Sequence, residues 1–208
     1  MCGIVGIIDL RSAREFGREL IDRMNKVQHH RGPDETGVQV GPGLAFGHKR
    51  LSIIDLASGQ QPLISADGRY VITYNGEVYN FRELRQELEA LGLVFKTQCD
   101  TEVLLYAFAQ WGEACVTRFR GMFAFAIWDQ RETRLFLARD RLGIKPLFWC
   151  QLSDGCVAFS SELKSLMEIP ELSRKMDVRL MEDYLALGHI PEPRTIFSDM
   201  NKLFQVIH

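Results

Sequence analysis

The sequence is poor in most features that would assign it quickly. Its five cysteines, Cys2, Cys99, Cys115, Cys150 and Cys156, form no CxxC pair, so neither a zinc site nor a disulfide framework is expected, and a reducing compartment fits better. No apolar run approaches membrane-spanning length. The 25 Lys and Arg nearly balance 27 Asp and Glu, leaving a net charge of -2, which gives nucleic acid and anionic lipid no electrostatic attraction. Internal repeats and low-complexity segments are missing too. Glycine stands at position 3, the wrong place for a myristoylation signal, and a cytoplasmic address is the expectation. The adjacent His29 and His30 lack a third ligand at metal-site spacing, so no metal is expected there.

What remains is an ordinary globular composition, 46% apolar and 25% charged over 208 residues, enough for one domain with a large core. Apolar residues recur at helical spacing at Phe16, Leu20, Met24 and Val27, predicting a helix over residues 15–28. A second helix is expected after Asn80, with Phe81, Leu84, Leu88 and Leu91 as its stripe and Gly92 as its stop. A third, largely buried, follows Asp100. Shorter helices are expected over residues 161–167 and 178–187, before Pro191 and Pro193 break the chain.

Strand signals come in pairs: residues 37–40 with 44–48 around Gly41-Pro42-Gly43, residues 122–128 with 134–138, and residues 147–150 with 157–160. A short strand is expected over residues 93–96. Asn75-Gly76, between the β-rich run 70–74 and Glu77-Val78-Tyr79, reads on spacing alone as a hairpin turn. Antiparallel hairpins separated by helical blocks give an α+β class, and strands apolar on both faces favour two packed sheets with helices outside.

Several residues have chemical as well as plain readings. Cys2 heads the apolar run Gly3 to Ile8 and is either one more small apolar residue or a nucleophile. With Met1 removed, its sulfur and its α-amine lie on one residue. An α-amine of ordinary pKa about 7.7 to 8.0 serves as base and then as acid. Arg31, beside the Gly32-Pro33 turn, faces either a pocket or water. Arg50 caps a strand end or binds an anion, and Asp100 caps a helix or faces a ligand.

The stretches Met1-Cys2-Gly3-Ile4-Val5-Gly6, His30-Arg31-Gly32-Pro33-Asp34, Arg50-Leu51-Ser52-Ile53-Ile54-Asp55, Tyr74-Asn75-Gly76-Glu77-Val78-Tyr79-Asn80, Asp100-Thr101-Glu102 and the run from Ala138 to Leu147 occur in this order across nearly the whole chain. Together they resemble the N-terminal-nucleophile glutamine amidotransferases, specifically the glutaminase domain of glutamine-hydrolysing asparagine synthetases. That resemblance implies a four-layer αββα sandwich over residues 1–190. It also implies catalysis by Cys2, with the Asn75 side chain and the Gly76 N–H holding the oxyanion. Arg50, Glu77 and Asp100 would bind the charged end of glutamine, and the backbone of Leu51, Ser52, Ile53 and Ile54 would line the pocket.

The resemblance implies no cofactor for this half. ATP and Mg would belong to a synthetase domain, whose Ser-Gly-Gly-x-Asp-Ser loop does not occur in this sequence. Residues 191–208 are then expected to be a linker or the truncated start of that domain. The expected partners are L-glutamine and a synthetase domain or partner chain, with a homodimer left open. Two other readings remain: a non-catalytic glutamine-binding module that docks on a separate synthetase chain, and an amidotransferase for another acceptor such as an exopolysaccharide precursor.

Overall fold

A computed structural model describes residues 1–52 and 59–204. Ten strands and five α-helices are found among them. Strands β1 (Gly3–Ile8), β2 (Glu35–Gly41), β3 (Leu44–Arg50), β8 (Phe148–Gln151), β9 (Val157–Ser160) and β10 (Asn201–Lys202) form an antiparallel sheet in the order β10-β8-β9-β1-β3-β2. Strands β4 (Leu63–Ile64), β5 (Tyr70–Val78), β6 (Gly121–Asp129) and β7 (Arg134–Arg139) form a second antiparallel sheet in chain order.

Strand alternation explains why so few polar residues interrupt these segments. In β1, Ile4 and Ile8 face the layer between the sheets, where they meet Phe46, Val71, Trp128 and Phe159. Val5 and Ile7 face the other way, toward Ile21 and Met24 of α1 (Arg18–Val27) and Leu166 of α4 (Leu163–Leu166). In β5, Val71 faces the inter-sheet layer, whereas Tyr70, Ile72 and Tyr74 pack with Leu84 and Leu88 of α2 (Phe81–Ala90) and with Val103 and Leu104 of α3 (Asp100–Trp111). Three apolar layers therefore separate four layers of structure, helix, sheet, sheet and helix, as the αββα expectation required.

Several local expectations need correction. Asn75-Gly76 makes no turn: β5 runs straight through it, with Asn75 opposite Ala124 and Gly76 opposite Phe123. Tertiary pairing overrides the dipeptide's turn preference, because nine residues of β5 find partners on β6. Residues 93–96 form no strand. The first helix begins at Arg18, after Gly17, and not at residue 15. Asn80 makes no cap bond to the helix it precedes. Its side chain instead accepts from Arg120 N–H and donates to Arg118 O.

The final described segment is tied to the sheet. β10 extends the larger sheet beyond β8, Leu203 N–H donates to Leu147 O at 2.8 Å, and Glu192 pairs with Arg139 at 2.8 Å. Helix α5 (Leu180–Leu187) ends at Gly188, in the left-handed conformation at φ 74°. No helix among the described residues is long and apolar enough to cross a membrane.

Candidate active site

The alternation that builds the core also builds the site. Carried back one residue from Ile4 and Gly3, it turns Cys2 toward the inter-sheet layer. Arg50 shares the parity of Leu44 and Phe46 on β3, and Asn75 and Glu77 share that of Val71 on β5. The register Gly3 to Lys49 brings Cys2 beside Arg50. At this end of the layer the strands stop, and a cavity of about 290 Å³ opens, near the lower limit of roughly 300 to 1,000 Å³ common for small-molecule pockets. Cys2, Arg50, Leu51, Asn75, Gly76, Glu77 and Asp100 all line it. Ser52 is not among the described lining residues and donates its N–H to Asp34 Oδ2 at 2.8 Å. Ile53 and Ile54 lie outside the described residues.

Cys2 is held from two directions. Arg31 Nε donates to the Cys2 carbonyl at 2.9 Å, and Glu162 holds Arg31 at 3.2 Å while also accepting from His30 Nε2 at 2.8 Å. The pocket-or-water choice for Arg31 thus resolves to neither: it grips the backbone of Cys2. On the other side, Leu51 N–H donates to the sulfur at 3.4 Å. Burial pushes the thiol above its ordinary pKa, and the Leu51 N–H, the chain's amino terminus and Arg50 pull it back. Gly32 lets this turn press against β3, since a Cβ there would lie 2.4 Å from the Lys49 carbonyl.

Arg50, 4% exposed, donates through Nη1 to both Glu35 oxygens at 3.1 Å, across the β2–β3 register. It is a strand-end residue and also part of the cavity wall. Asp100 does not cap its helix; Cys99 holds the N-cap position. The Asp100 carboxylate instead accepts from the Tyr74 hydroxyl at 2.8 Å and from Val78 N–H at 3.2 Å. Burial lifts its pKa, opposed by those two donors. Tyr74, buried beside this carboxylate, is pushed well above the ordinary phenol range.

Asn75 is 1% exposed, and its Nδ2 has no hydrogen-bond partner among the described residues. Its neighbour Gly76 has no room for a side chain, because a Cβ would lie 2.3 Å from Met122 O. Two cross-sheet bonds stand just behind: His48 Nε2 to Tyr74 O at 3.1 Å and Thr73 Oγ1 to Gly47 O at 3.2 Å. Burial pushes His48 down to about 3, so it is a neutral donor.

Gln61, Tyr74 and Lys145 are among the wall residues that sequence reasoning passed over. Gln61 accepts from Tyr74 N–H at 2.6 Å and donates to Thr101 at 3.2 Å. Tyr74 and Lys145 fell inside quoted motifs without a task of their own. All five cysteines are free thiols. Among the described residues no group of three or more His, Cys, Asp or Glu is placed to hold a metal ion, and His30 is engaged with Glu162.

The family model described as "Glutamine amidotransferase domain" matches residues 1–206. Asparagine synthetase [glutamine-hydrolyzing] 1 of Bacillus subtilis is 42% identical over 205 residues, 98% of this chain and 32% of that protein. Asparagine synthetase [glutamine-hydrolyzing] 2 of Oryza sativa subsp. japonica is 38% identical over 168 residues, 81% of this chain and 28% of that protein. The chain therefore spans about a third of the length of such relatives. Among solved structures, glutamine phosphoribosylpyrophosphate amidotransferase from B. subtilis superposes with a TM-score of 0.66 at 24% identity, covering 80% of this chain and 43% of that one, a likeness of fold. With two facing antiparallel sheets, a cysteine at the head of the central strand and a family match from end to end, the chain belongs to the glutamine amidotransferase domains.

Proposed function

We propose that this chain hydrolyses L-glutamine to glutamate and ammonia through a thioester on Cys2, after removal of Met1. Asn75 Nδ2 supports this above all. An amide donor buried with no partner typically costs about 1 to 3 kcal/mol, and this one stands on the sheet facing the thiol. A negative oxygen appearing between them gives that donor its missing acceptor. Met1 lines the cavity mouth and is 56% exposed, so its loss would leave the Cys2 α-amine at the site.

In this reading the Cys2 sulfur attacks the side-chain carbonyl carbon of glutamine while the α-amine takes the thiol proton. The developing oxyanion is held by Asn75 Nδ2 and the Gly76 N–H. The α-ammonium then returns the proton to the departing nitrogen, the C–N bond breaks, and ammonia leaves a γ-glutamyl thioester. Water hydrolyses that thioester and frees the sulfur. Arg50, fixed on the wall by Glu35, receives the substrate carboxylate, and Asp100 with Glu77 receives its ammonium. Tyr74 and Val78 aim Asp100. No step calls on a metal or cofactor.

The relatives' names give the ammonia a destination. We assign it to an ATP- and Mg-using synthetase region with aspartate as acceptor, carried outside this segment, and place the whole in the cytoplasm, where five free thiols persist. The test is glutamate release from glutamine without ATP, by protein whose N-terminus is confirmed to be Cys2. Cys2→Ala should abolish it. Glutamine binding without turnover in such protein would make the chain a binding module instead.

A further inference from the structure

One charged side chain on the cavity wall has no place in the reaction just described. Lys145 is 4% exposed and lines the same cavity as Cys2, Asn75 and Asp100. Among the described residues nothing forms a hydrogen bond or ion pair with its Nζ. Holding an ammonium on a largely buried wall, with no partner among the described residues, is unfavourable, and folds seldom keep one without a use for its charge.

The loop that carries it is built to point it inward. The Asp140 carboxylate gathers the N–H groups of Leu142 at 3.2 Å, Ile144 at 2.9 Å and Lys145 at 3.0 Å. Arg139 closes the loop from its other side, donating to Lys145 O at 2.8 Å and to Gly143 O at 2.5 Å. Leu142 and Ile144 are left 80% and 52% exposed, while Lys145 is buried.

The other charges around Cys2 each have a partner, although Arg31 Nη2 has none among the described residues. Arg31 is held by Glu162, Arg50 by Glu35, and Asp100 by Tyr74 and Val78. Glu77 is the remaining carboxylate on the wall. Burial and Arg31 lower the Lys145 pKa, while the charges of Cys2, Asp140 and Glu77 draw it back up. Lys145 and Cys2 line one cavity, so the ammonium and the nucleophile face the same space.

We propose that Lys145 is an electrostatic partner of Cys2, its ammonium stabilising the negative charge that develops on the sulfur and then on the oxygen of the tetrahedral intermediate. This deepens the glutaminase reading and rests on it. No bond or proton passes through Lys145.

The test compares wild type, Lys145→Met and Lys145→Arg in chains confirmed to begin at Cys2. The first readout is alkylation of Cys2 by iodoacetamide as a function of pH without glutamine, followed by the mass of the N-terminal peptide. Lys145→Met should raise the midpoint by about one pH unit and Lys145→Arg should restore most of it. The second is turnover: kcat falls about tenfold or more in Lys145→Met with KM within about threefold, the pattern of an interaction made in the transition state.

An unchanged midpoint and kcat overturn the proposal. A raised KM with unchanged kcat also overturns it, making Lys145 a substrate-binding residue. So does a Lys145→Arg variant that melts like wild type yet recovers nothing, since packing alone would then explain the loss. If Lys145→Met melts early, Lys145→Gln carries the same test. The alkylation profile needs no turnover, so a wild-type chain that is alkylated normally but releases no glutamate would sink the glutaminase reading separately.

Discussion

The layer between the two sheets has a dry end and a reactive end, and the same strands build both. β1 gives Ile4 and Ile8 to the dry end and follows directly from Cys2; β3 gives Leu44 and Phe46 to one and Arg50 to the other; β5 gives Val71, then Asn75 and Glu77. The border is marked by the bonds from Thr73 to Gly47 and from His48 to Tyr74. The dry end supplies rigidity through close-packed Phe46, Trp128 and Phe159. The reactive end keeps what a dry core would reject, an amide and an ammonium with no partner among the described residues. Stability and chemistry are separated along the strands, not between domains.

Substitutions at the two ends should therefore fail differently. Cys2→Ala at the reactive end should remove all measurable glutamate release in a glutaminase assay and leave the thermal melting midpoint near wild type. Asn75→Ala should lower kcat by about 10² to 10³ with little change in KM. At the dry end, Phe46→Ala should lower the unfolding free energy by about 3 to 5 kcal/mol, measured by denaturant titration. The variant that stays folded should keep a near-normal KM. Loss of stability from Cys2→Ala on the scale of Phe46→Ala would erase the distinction.

The border residue gives the smallest effect and the clearest pH signature. His48 has a folded pKa of about 3, below that of an unfolded histidine. The unfolded chain thus binds the extra proton first, and stability falls as pH drops from about 6.5 toward 3. Between pH 6.5 and 5 the loss should be about 1.5 kcal/mol in denaturant titrations. His48→Gln should flatten that slope while leaving stability above pH 7 little affected by protonation.

Much of this could be read from the residues. Helix stripes such as Leu84 with Leu88 and hairpins such as β2–β3 follow local periodicity, and the structure shifts their ends by only a few residues. The grouping of Cys2, Arg50, Asn75 and Asp100 came from motif order, because no local pattern ties position 2 to position 100. What escaped was nonlocal. Asn75-Gly76 is locally a turn and becomes strand only because β6 pairs with it. Asp100 looked like a helix cap, yet it bonds a tyrosine 26 residues away in sequence. Lys145 sits in a loop whose direction is set by Asp140 and Arg139, a geometry that apolar spacing cannot reveal.

The central claim, that one amino-terminal residue supplies both sulfur and base, is tested most directly by intact-mass analysis of the N-terminus paired with a glutaminase assay. Chains that begin at Cys2 should release glutamate from glutamine, and chains that retain Met1 should be inactive. Full activity in chains that keep Met1 would contradict it.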